Sequence, residues 1–64
     1  MNAERFTMRQ DGDNWAWSVY DGDRKVIVRE SYQIASNVLS MLRSGKSDAS
    51  ECAEVARVIL TNAE

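Results

Sequence analysis

The sequence predicts an α+β fold: a three-stranded antiparallel β-meander with one face covered by a C-terminal helical hairpin, in the order β-β-β-α-α. Three observations predict it. Apolar and polar residues alternate with period two in three short segments before Glu30, Asp-Gly-Asp tripeptides lie between those segments, and beyond Glu30 the period changes to 3.6.

The first strand is expected over about residues 5–10, where Phe6 and Met8 share one face and Arg5, Thr7 and Arg9 the other. The second, about 14–20, turns Trp15, Trp17 and Val19 one way and Ala16, Ser18 and Tyr20 the other. The third, about 24–30, sets Val26 and Val28 against Lys25, Ile27 and Arg29. Each strand then has one apolar and one mostly polar face. Asp-Gly-Asp-Asn after the first strand and Asp-Gly-Asp after the second supply the turns.

Ser31 reads as the N-cap of a helix over about 32–44. Ile34, Ala35, Val38, Leu39, Met41 and Leu42 fall within an arc of about 160° at 100° per residue, and Gly45 stands where a helix-terminating glycine is expected. A second helix is expected over about 49–62, started by Asp48 with Glu51 three residues on. Its apolar arc carries Ala49, Cys52, Ala53, Val55, Ala56, Ile59, Leu60 and Ala63, with Val58 outside it. The short loop between the helices makes them antiparallel neighbours.

Sixty-four residues make a single domain, 1–64, close to the size at which a chain without staples buries only roughly 60% of its unfolded surface. With 44% hydrophobic and 28% charged residues the balance is globular. One cysteine makes no internal disulfide, which suits a reducing cytoplasm. No apolar run is long enough to span a bilayer, and "MNAERFTMRQ" is too polar for a signal peptide, so no membrane partner is expected. The net charge of -2 argues against a dedicated nucleic-acid binder unless the charges are segregated.

Asp11, Asp13, Asp21 and Asp23 form the two Asp-Gly-Asp copies. A calcium loop needs oxygens converging on one ion from a single loop, whereas strand geometry places the two copies on the order of 25 Å apart, at opposite ends of the middle strand. They are expected to be turns that put negative charge at both ends of the sheet. Trp15 and Trp17 match a base-stacking pair in residue type, but their phase puts them in the core. The uncovered face is expected to carry Arg5, Arg9, Lys25 and Arg29 around Tyr20, half of the eight basic residues. Such a face is either a solvated surface shielded by cationic stems or a phosphate-contacting one. Asp48, Glu51 and Glu54 gather at the start of the second helix, where the dipole favours anions.

Catalysis finds no support, because histidine is absent, Cys52 lies on the core stripe and no serine has a visible base. Without histidine or a cysteine pair no metal is expected, and no cofactor.

The stretch "NWAWSVYDGDRKVIVRESY" through "IASNVLSML" resembles the strand-turn-strand-helix unit of YegP-like bacterial domains over about half the chain, and the resemblance implies fold rather than activity. The whole profile, one compact acidic domain without a catalytic set, is similar to the small phage and mobile-element proteins directed against host machinery, anti-CRISPR proteins in particular. That resemblance implies a stoichiometric inhibitor, a monomer or homodimer in the host cytoplasm. The resemblance assigns no residues; the segregation of acid into the turns and the start of the second helix points to Asp11, Asp13, Asp21, Asp23, Asp48, Glu51 and Glu54 as the contact with a host protein or protein–nucleic-acid complex. The alternative expectation is a nucleic-acid-binding module that uses Arg5, Arg9, Tyr20, Lys25 and Arg29, as three-stranded sheets do in phage-integrase arm-binding domains.

Overall fold

The structure, a computed structural model, describes residues 5–62. The order is β1 (Phe6–Gln10), β2 (Trp17–Asp21), β3 (Arg24–Glu30), α1 (Tyr32–Arg43) and α2 (Ala49–Asn62). The three strands form one antiparallel sheet in the order β1-β2-β3. It is an α+β fold of β-β-β-α-α order, with α1 lying across β1 and β2 and α2 beside β3. Ala63, expected on the apolar arc of α2, lies outside the described residues.

Local chemistry sets the ends of each element. Gly22, at φ 64°, is the first residue of the two-residue connection from β2 to β3, a position that favours glycine in a type II′ hairpin. Ser31 Oγ accepts the Ile34 N–H at 3.3 Å, and Asp48 Oδ1 accepts the Glu51 N–H at 3.2 Å, so both helices start on side-chain caps. After α1, the Gly45 and Lys46 N–H groups donate to Leu42 and Met41 carbonyls, the paired bonds of a Schellman termination, with Gly45 at φ 118°.

Val19, Ile27, Ala35, Val38, Leu42, Cys52, Ala53 and Ala56 form the buried core, with Phe6, Met8, Trp17 and Val26 packed on it. This requires three corrections to the strand phases. Ile27 belongs to the core, whereas Val28 is 61% exposed. The reason is register: Trp17 pairs with Glu30, Val19 with Ile27 and Tyr20 with Lys25, so β3 holds two more residues than the matching stretch of β2. Each extra residue is a bulge that resets the alternation, and Arg29 at φ 54° lies within the first. Trp15 is 58% exposed and precedes β2, which begins at Trp17 and not near residue 14. Trp17 is half-buried and meets Tyr32 edge-on, with centroids 5.2 Å apart and planes at 82°. In α2, Val55 and Ile59 are exposed together with Val58, so the buried stripe narrows to Cys52, Ala53 and Ala56.

Candidate functional site

The connection from β1 to β2 runs from Asp11 to Ala16, longer than a tight hairpin requires, and it folds back over the open sheet face. Two backbone bonds shape it, Asp11 N–H to the Ala16 carbonyl at 2.9 Å and Ala16 N–H to the Asp13 carbonyl at 3.1 Å. Beneath it, Ser18 is fully buried, donating its hydroxyl to Asp11 Oδ2 at 2.6 Å and accepting the Arg29 N–H at 3.0 Å. Lys25 Nζ donates to the same Asp11 oxygen at 2.7 Å. Arg29 then clasps the turn from below, donating through Nη1 to the Asp11 carbonyl at 2.8 Å and through Nη2 to Asp13 Oδ2 at 2.6 Å. A side chain at Gly12, where φ is 91°, would collide with Arg29 Nη1. The first Asp-Gly-Asp copy is thus a strap, and glycine is what lets Arg29 pass close beneath it.

The electrostatics follow from this geometry. The Lys25 ammonium, followed by the Ser18 hydroxyl, holds the Asp11 carboxyl below the usual carboxylate range, and the bond to Asp11 pushes the Lys25 ammonium up. On the second hairpin, Arg5 Nε lies 2.8 Å from Asp21 Oδ1. Three turn carboxylates and three strand cations expected on separate surfaces therefore pair with one another. Arg9 lies over the Tyr20 ring at 4.1 Å, and Arg29 over Trp15 at 5.4 Å.

Asp23, Asp48, Glu51 and Glu54 form no ion pair among the described residues, and the last three line one end of α2. They continue into the exposed aliphatic residues Val55, Val58 and Ile59. At i, i+3 and i+4 these share one helix face. Beside them a hollow of about 270 Å³ is lined by Met41, Lys46, Glu51, Cys52 and Val55. Burial, then the charges of Asp48 and Glu51, push the Cys52 thiol up, which suppresses its thiolate. No helix of the described residues is long and apolar enough to cross a membrane.

Sequence reasoning separated the acids from the bases because it treated the turns as tips at the ends of the sheet. The length of the first turn and the polar Ser18 in the middle strand were the signals that it folds inward. It also placed Val55 and Ile59 in the core and set Val58 apart from them, whereas the three form one outward patch. Comparison with protein families, curated proteins and solved structures finds no match for this chain.

Proposed function

We propose that this chain is a non-enzymatic protein-binding module, a stoichiometric inhibitor of the anti-CRISPR kind that acts in the cytoplasm, the host's if a phage encodes it. It uses α2 to occupy a cationic, nucleic-acid-binding site on a larger complex. One observation carries the reading: on α2 the unpaired carboxylates Asp48, Glu51 and Glu54 adjoin the exposed Val55, Val58 and Ile59. Adjacent aliphatic anchors at helical spacing fit a groove, and the carboxylates favour a groove bordered by lysine and arginine. The hollow beside Val55 has room for one apolar side chain of the partner. Of the seven carboxylates expected at the interface, Asp11, Asp13 and Asp21 already have internal cations, which narrows the contact surface to α2 and Asp23.

Affinity purification with mass spectrometry tests this reading. A stoichiometric partner is expected, lost when Glu51 and Glu54 become lysine or Val58 becomes glutamate, and retained when Asp13 becomes asparagine. Recovery of no partner, or binding indifferent to the α2 changes, would sink it. The second reading, a nucleic-acid module on the open face, is favoured by exposed Trp15 and by Tyr20 beneath Arg9. Internal neutralisation of Arg5, Lys25 and Arg29 weighs against it, and a gel shift at low salt with no retarded DNA or RNA would dispose of it.

A further inference from the structure

We propose that the chain pairs with a second copy of itself along the free edge of β3 and the adjoining flank of α2, joining two three-stranded sheets into one of six strands. The proposed dimer shares Asp48 and Glu54 with the partner-binding surface but leaves Val55, Val58 and Ile59 outside it, so it is tested without any partner. β3 is an edge strand, and a groove of about 320 Å³ runs between it and α2, lined by Val26, Val28, Glu30, Ala53, Glu54 and Arg57. Toward the start of both elements it continues into a hollow of about 520 Å³ lined by Arg24, Lys25, Asp48 and Ala49. No residue of β1, β2 or α1 lines either, so both open on the outer side of β3. The unpaired backbone groups of such an edge are a template for pairing, and the exposed Val28 gives a pairing strand an apolar contact beside them.

The edge is complementary to itself. Antiparallel pairing of two β3 strands about Ile27 sets Val26 against Val28 of the second copy and Arg24 against its Glu30. It also sets Lys25 against Arg29 of the second copy, the one like-charged juxtaposition. Those two cations are already held by Asp11 and Asp13 within each copy, at 2.7 and 2.6 Å, which removes the repulsion. The helix layer repeats the match: Asp48 lies at the Arg24 end of the groove and Arg57 at the Glu30 end. A two-fold axis therefore brings Asp48 toward Arg57 of the second copy, with small Ser50 and Ala53 between. Arg57 keeps guanidinium N–H groups beyond the one given to Glu30.

The bulges in β3 shorten the stretch available for regular backbone pairing, so side chains of both layers share the contact. Seven strand residues at about 3.3 Å each and two layers give an edge of about 500 Å² per copy. Roughly 1,000 Å² in total is the lower limit for a specific interface, so the dimer is a weak one.

Sedimentation equilibrium from micromolar to millimolar chain concentration is the test, with circular dichroism confirming that each variant folds. Wild-type protein should approach twice the chain mass, and Val28→Glu, which sets a carboxylate against the apolar Val26 of the second copy, should weaken association at least about tenfold. The decisive pair is Arg24→Glu and Glu30→Lys. Each alone sets like charges across the edge and loses self-association, whereas an equimolar mixture restores both contacts and should recover a mixed dimer. A wild-type chain that stays monomeric at millimolar concentration overturns the proposal. So does a dimer unmoved by Val28→Glu, or a mixture no better associated than either variant alone.

Discussion

Gly12 and Arg29 explain each other. Arg29 adopts the left-handed conformation inside a bulge and passes beneath the turn, and Gly12, itself at positive φ, has no side chain to block it. Gly12→Ala should therefore combine backbone strain at positive φ with displacement of the Arg29 guanidinium from its bonds to the turn, and lower stability by about 1–3 kcal/mol in urea unfolding. Ser18→Ala removes a buried hydroxyl and leaves the part-buried Arg29 N–H without its acceptor, and should cost about 1–3 kcal/mol in the same experiment. Asp11 and Lys25 make stability depend on pH at both ends. The folded Asp11 carboxyl titrates below its unfolded value, so its contribution is present above about pH 4 and is lost as pH falls through the folded value. The folded Lys25 ammonium titrates above its unfolded value, so its contribution is full below about pH 10.4 and is lost as pH rises through the folded value. Urea midpoints for Asp11→Asn should accordingly vary less with pH than wild type at both extremes.

At the scale of elements, the helices were legible in the sequence to within a residue or so, because capping is local. Ser31, Asp48 and Gly45 do in the structure what their positions announced. Ser31→Ala should lower stability by about 1 kcal/mol, read from the thermal midpoint. β3 was only partly legible. Its order in the sheet followed from turn chemistry, but "RKVIVRE" offers an apolar residue to either phase, and only pairing against β2 inserts the two bulges that bury Ile27 and expose Val28. Trp15 was misplaced for a related reason. Its spacing from Trp17 suggested a continuous strand, while backbone bonds between Asp11, Asp13 and Ala16 had already committed residues 11–16 to a turn.

At the scale of the molecule, the site was legible in its residue types and not in its arrangement. Which carboxylates are free depends on contacts between residues 7 to 18 positions apart, as in Ser18 with Asp11 and Arg29 with the Asp11 carbonyl, and such contacts leave no periodic trace. On the proposed reading, a tenfold rise in salt should slow association with the partner while leaving the escape rate nearly unchanged, measured by surface plasmon resonance. The strap has a consequence for how this protein is sensed from a distance. Each of its ion pairs is a short dipole whose field fades faster than that of a lone charge and is soon lost in an ionic atmosphere about 8 Å deep. Among the described residues, the long-range potential thus owes more to the charges left single, with Asp48, Glu51 and Glu54 side by side as its densest negative source. A diffusing molecule with a cationic surface would be turned toward α2 before it touched anything.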